Sequence, residues 1–334
     1  MTTLNKLKTI KGLVLHNDKE LLVYSNGNHV QIVSLDTDTT VELRLGSCIY
    51  NLSKFGLISR LLRLEVRTVV RHESYLYIFW NKCVYVVSVN ELELIYVKRL
   101  GFNPLNVRVS DEGVLFGSYA SNKGRRKDSF VYLLKFKNMV ILHRLRGVRH
   151  VHGLIPFSDD KKFIILTGDD DAESWIALSD YQDVKMMYSG SQITRSVSGE
   201  LIEDRFIYGT DTPRQKNYII SASLKDPTYL EKLGCVSSSV FWSLLLENGA
   251  ILFSTAVEPS SVNLERCPKL YLVQLNGNVK LLQSFHGSKI NKKLWQYPQI
   301  RLVKSPENLR FWCVEYANSR HRLSSLYELK EPPC

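Results

Sequence analysis

Short runs of β-branched and aromatic residues recur along this chain, and Gly, Asn and Asp break them. The clearest runs in the first half are residues 20–25, 29–34, 74–80, 83–89, 113–119 and 130–136. The second half continues with 163–167, 206–210, 218–223, 250–255, 269–275 and 310–315. Branched and aromatic side chains suit a pleated surface, so these runs predict strands. Asn26-Gly27-Asn28, Asp111-Glu112-Gly113, Asn248-Gly249 and Asn276-Gly277-Asn278 supply hairpin turns between them. No segment sustains the 3.6-residue period of a long amphipathic helix.

The strands fall into units that begin near Lys11, Glu65, Asn106, His150, Arg195, Phe241 and Ile300. The interval is roughly 40–50 residues, the length of a four-stranded blade. Residues 45–62 read as an inserted loop or short helix. The last unit, 299–329, offers only three clear strands, and residues 4–10 are expected to complete it and close the ring. The expected fold is all-β: a single β-propeller over residues 1–334 with about seven four-stranded blades. A pair of β-sandwiches or a β-helix is the alternative.

Composition narrows the class. Hydrophobic residues make up 44% of the 334 and charged residues 23%, which excludes a disordered chain. No apolar run approaches the ~18–20 residues that span a bilayer, and no apolar leader follows Met1. The start is therefore expected to be the native one. Six cysteines are scattered without a CxxC pair, and Cys83 and Cys313 lie in apolar runs as expected core residues. A reducing, cytoplasmic location is expected.

The 44 basic and 33 acidic residues leave a net charge of +11, which favours anionic partners. Apart from Lys123-Gly124-Arg125-Arg126-Lys127, expected at a hairpin tip, the basic residues are dispersed. The dense Lys/Arg tract with interleaved aromatics that marks nucleic-acid binding is missing.

Polar chemistry gathers between residues 103 and 212, with a later stretch at Thr255-Ala256-Val257-Glu258. First strands of successive blades would aim Arg108, His150 with His152, Gln192 with Arg195, and Trp242 toward the axis. Second strands would carry Tyr119, Asp169, Asp211 and Glu258 to their far ends, toward loops at the blade edge. Residues two apart on a strand share a face, so the imidazoles of His150 and His152 can hold a divalent metal or act as base and electrostatic partner. Either can instead bond backbone between blades. Arg108 and Arg195 suit a bidentate grip on a carboxylate, sulfate or phosphate, or an ion pair with Asp169, Asp211 or Glu258 that ties blades together. Tyr119 can deliver a phenolic proton or pack as an edge aromatic. The run Asp169-Asp170-Asp171 lacks the Gly and terminal Glu of a calcium loop and reads as a solvated turn. GxSxG, GxxxxGK[ST] and HExxH are all missing, so hydrolase and nucleotide-loop templates fail.

The series Asn106-Val107-Arg108, Gly117-Ser118-Tyr119, Arg149-His150-Val151-His152-Gly153, Thr167-Gly168-Asp169 and Gly209-Thr210-Asp211-Thr212 resembles sialidase-like (BNR/Asp-box type) propellers of bacterial polysaccharide gene clusters. The resemblance covers mainly residues 100–259. Of the Ser-x-Asp-x-Gly-x-x-Trp boxes, only Ser179-Asp180-Tyr181 remains. The series is also similar to propeller-fold polysaccharide lyases. That likeness implies His150 or His152 as base, or as metal ligands with Gln192. It further implies Arg108 or Arg195 as carboxylate neutraliser, Tyr119 as acid, and substrate contacts from Gln192, Asp169, Asp211 and Glu258. An acidic glycan is the expected substrate, cleaved by a lyase reaction in which cationic groups stabilise an enolate-like charge. A glycosidase would use two of Asp169, Glu173, Asp211 and Glu258. The non-catalytic alternative is a propeller that binds a glycan or a protein.

Overall fold

The computed structural model describes residues 2–46, 58–59, 62–120, 122, 127–158, 161–258, 260–287, 297–318 and 322–330. Seven antiparallel four-stranded sheets follow one another as blades 1 to 7, at residues 13–44, 68–99, 107–145, 151–188, 196–236, 240–284 and 299–330. Each unit start expected from sequence lies within a few residues of an observed first strand. In six blades the chain runs straight through all four strands. Blade 7 takes its fourth strand, Thr3–Lys11, from the other end of the chain, paired antiparallel with Leu323–Lys330. The ring closes as the three-strand count of the last unit requires. Most of the expected insertion at 45–62, and residues 123–126 of the basic hairpin tip, lie outside the described residues.

The core lies between blades. Second strands such as Phe163–Thr167 and Ile251–Thr255 are buried at every position, because a neighbouring sheet covers each face. Phe79 of blade 2 meets Phe116 of blade 3 edge-on at 5.3 Å. Fourth strands such as Leu94–Arg99 are mostly exposed, as expected for the outer rim. Cys313 is fully buried and Cys83 half-buried, and both are free thiols, as are Cys235 and Cys267. No helix of the described residues is long and apolar enough to cross a membrane.

Two glycines set how closely blades approach. A Cβ on Gly117 would overlap Val151 at the head of blade 4, and a Cβ on Gly209 would overlap Val240 at the head of blade 6. Neither glycine needs a positive φ, so the constraint is space alone. Gly209→Ala should therefore lower stability by about 1–3 kcal/mol through overpacking. Urea unfolding followed by fluorescence checks this, and an unchanged midpoint would mean that blades 5 and 6 part freely.

Antiparallel pairing puts the start of each first strand and the end of each second strand at the same end of the ring. Val151 pairs with Thr167, Ser196 with Thr210 and Val240 with Thr255. The first strands of blades 1, 4, 5 and 6 all bulge near this end. The polar motifs of the sequence converge here.

Candidate functional site

A hydroxyl at the end of the second strand recurs in four blades. Ser118, Thr167, Thr210 and Thr255 each accept the amide of a residue opening the third strand: Phe130 at 2.8 Å, Trp175 at 3.3 Å, Tyr218 at 2.9 Å and Lys269 at 2.9 Å. The clamp holds the turn between second and third strands, where backbone amides would otherwise lack partners. The Gly117-Ser118 and Gly209-Thr210 strings of the sequence thus belong to a blade-internal fastening, which Thr167 and Thr255 make without a preceding glycine.

Asp169, just past one such clamp, is the centre of a network across blades 3, 4 and 5. Arg149 Nη1 donates to its Oδ2 at 3.0 Å, and Arg195 Nη2 lies 3.4 Å from its Oδ1. The Nε2 atoms of His150 and His152 each stand 3.3 Å from one of its oxygens. Burial pushes the Asp169 carboxyl up, but the two imidazoles outweigh it and hold the group well below the usual carboxylate range. His152 is the residue bulged out between Val151 and Gly153, yet its ring stacks 5.1 Å from that of His150. Its Nδ1–H donates to the Ser196 carbonyl at 3.2 Å, which anchors blade 4 to blade 5. Tyr119 of blade 3 covers His150 at 4.2 Å between ring centres. Burial, with the charges of Asp169 and Asp211, pushes its phenol up to about 12.

The neighbouring residues are equally engaged. Asp170 accepts from Arg149 at 2.9 Å and from Arg214 at 2.6 Å. The buried Glu173, in a 3₁₀ turn at Asp171–Glu173, accepts the Arg149 amide at 2.6 Å. A second 3₁₀ turn, Gln192–Thr194, is capped by Ser191. Gln192 donates to Asp171 Oδ1 at 2.8 Å and to the Asp169 carbonyl at 3.3 Å, and accepts from Thr212 at 2.9 Å. Arg195 reaches Asp211 at 3.4 Å. Glu258 accepts from Ser239 at 2.7 Å, and burial and the Asp211 charge hold its carboxyl above the usual range.

Eight of the nine residues expected at the site therefore gather at one end of the ring: Tyr119, His150, His152, Asp169, Gln192, Arg195, Asp211 and Glu258. The residues at the ends of second strands, expected at the blade edge, sit against the first strands instead. Arg108 is the exception, because it pairs with Glu200 of blade 5 at 3.4 Å on the channel side. The expected metal set also changes. His150, His152 and Asp169 bring ligand atoms within 4.8 Å of one another and could hold a divalent ion, whereas Gln192 faces Asp171 and Thr212. Arg149 and Arg195 already neutralise the Asp169 carboxylate. The acid run expected as a solvated turn is instead an ion-pair hub. The Ser179-Asp180-Tyr181 string is a turn, in which Asp180 Oδ1 accepts the amides of Gln182 at 3.1 Å and Asp183 at 2.8 Å.

No family model and no curated protein matches the sequence. Solved structures do match. A chain of the mitotic checkpoint complex has a TM-score of 0.67 at 10% identity, covering 98% of this chain and 92% of that one. The RRP9 WD40 repeats give 0.61 at 11%, covering 98% of both chains. The β-propeller domain of Cps50 (Swd1) from Myceliophteria thermophila gives 0.62 at 9%, covering 99% of this chain and 100% of that one. At such identities the likeness shows the fold alone. It does correct the expected resemblance, because the RRP9 match is to WD40 repeats and none of the three is a sialidase-like or lyase propeller. The acidic-glycan substrate and the lyase and glycosidase reactions fall with it. The motifs that carried the resemblance are the strand-end clamps and the Asp169 network.

Proposed function

We propose that this chain is a non-catalytic propeller that binds a protein partner carrying an acidic face. One observation carries the reading: the side chains expected to do chemistry are buried and packed against one another. His150, His152, Gln192, Arg195 and Asp211 are all less than 10% exposed. Arg149 and Arg195 both act on Asp169, which leaves neither cation aimed at a bound substrate. These residues fasten blades 3 to 6 and leave the ring surface for binding. The net charge of +11 selects an acidic partner. The structural neighbours support the reading, because one belongs to the mitotic checkpoint complex and another consists of WD40 repeats. The whole ring acts as one domain, and the four free thiols among the described residues suit a reducing compartment such as the cytoplasm.

The test is isolation of the tagged chain, after cross-linking, from the cells that make it. One protein should be recovered in near-equimolar amount. Without cross-linking, its recovery should fall steeply as salt rises, since screening weakens contacts between opposite charges. A chain recovered alone, or a partner held equally at low and high salt, overturns the proposal.

A further inference from the structure

The ring axis holds a cavity of about 200 Å³ walled by first strands of the blades. A water molecule occupies ~30 Å³ of the liquid, so this space fits a small ligand and not a folded segment. Four of its lining residues are cationic: Arg67, Arg108, Arg301 and Lys304. Arg301 lies among Ile300, Leu302 and Val303 in the strand Gln299–Lys304 and is only 7% exposed. Its Nη1 donates to the carbonyls of Val66 at 3.4 Å and Arg67 at 2.9 Å. Its guanidinium lies 3.9 Å from the ring centre of Tyr316 and 5.6 Å from that of Trp242. These contacts orient the group without neutralising it, and its Nε has no hydrogen-bond partner.

The surrounding charges do not cancel. Among the described residues no carboxylate forms an ion pair with Arg301 or Arg67, although both guanidiniums face one cavity. Burial, together with the charge of Arg67, lowers the pKa of Arg301. Glu65 lies within reach of its field but is bonded to Arg322 at 2.8 and 2.9 Å. Glu200 meets Arg108 only at 3.4 Å and takes a shorter bond, 2.6 Å, from Ser243. Lys304 stands at the rim, 3.7 Å from Glu247. A buried guanidinium such as that of Arg301, held beside a second cation and without a carboxylate partner, is costly unless an anion joins it.

We propose that this axial cavity binds an oxyanion of the phosphate type, gripped by Arg301 and Arg67 with Arg108 and Lys304 beside it. The planar guanidinium fork matches two oxygens of such an anion, and Tyr316 fixes the plane of the Arg301 fork. Phosphate could enter free, as pyrophosphate, or as an ester, and the chemistry of recognition is the same. The site is independent of any protein partner.

Calorimetric titration with inorganic phosphate, pyrophosphate and glycerol phosphate, against chloride at matched ionic strength, tests the proposal. At least one of the three should bind saturably, and the one that binds tightest names the source. Arg67→Gln should weaken it roughly tenfold, the loss of one charge-assisted contact. Arg301→Lys, which keeps the charge but not the fork, should weaken it also. Lys225→Gln, on an outer loop, should leave it unchanged. Thermal unfolding checks that each variant is folded. Absence of saturable binding by all three probes, or equal binding by Arg67→Gln, overturns the site.

Discussion

Deletion of residues 2–11 is expected to lower the unfolding midpoint by more than about 10 °C, a loss above about 7 kcal/mol for a domain of this size. The strand Thr3–Lys11 pairs with Leu323–Lys330 from Thr3↔Lys330 to Lys11↔Leu323, with one bulge between Lys6 and Lys8. Most of its side chains are exposed, so it acts chiefly through backbone hydrogen bonds. Leu4 and Ile10 are its apolar anchors, packed on the clusters that join blade 7 to blades 6 and 1. The Ser324 hydroxyl donates to the Gly12 carbonyl at 2.7 Å and accepts the Val14 amide at 2.9 Å, which carries the closure into blade 1. Without the strand, Leu323–Lys330 becomes a bare sheet edge open to aggregation. A synthetic peptide of residues 2–12 should restore part of the lost midpoint. A truncated chain that unfolds within about 2 °C of the intact one would mean that blade 7 holds with three strands.

The second large effect is expected at Asp169. Asp169→Asn keeps the shape but leaves Arg149, Arg195, His150 and His152 facing an amide. Removing one partner from a buried charge network costs roughly 3–5 kcal/mol, and with the carboxylate still 23% exposed the lower end, about 3 kcal/mol, applies. Chemical unfolding at pH 7 measures it. The acid dependence is a further check. Because the folded carboxyl is held below its ordinary value, it contributes stability that is present in full above the unfolded value of ~3.9 and is lost as pH falls toward the folded one. The difference between the two proteins should therefore be widest near neutrality and shrink below about pH 4. A gap that stays constant from pH 7 to pH 3 would assign the effect to shape and not to charge. Asp170 and Asp211, the other carboxylates bonded to Arg149 and Arg195, remain in both proteins and cancel in the comparison.

Much of the fold was legible because its causes are local. Strand runs, Asn-Gly turns and a blade-length period depend on neighbours a few positions apart, and they place the seven first strands closely. Even the closing strand could be read, since the last unit lacks one strand and residues 4–10 carry a strand pattern. The site was legible only as a list of residues. His150, His152, Asp169 and Arg195 do come together, yet the nearby Gly-Ser and Gly-Thr strings were read as marks of a glycan-active family. Such strings arise in blades 3 and 5 because a hydroxyl holds the start of the third strand, and sequence cannot separate that recurrence from kinship.

What the sequence determined by itself was the all-β ring, its blade period, its closure and its basic charge. The tertiary structure decided which charges meet. Arg108 finds Glu200 at a separation of 92 positions, and Arg301 reaches the Val66 carbonyl across 235. The one warning of Arg301 was a lone cation among Ile300, Leu302 and Val303. Such pairs form because ring closure brings distant first strands around one axis. No local pattern encodes which side chains then face the cavity and which face each other.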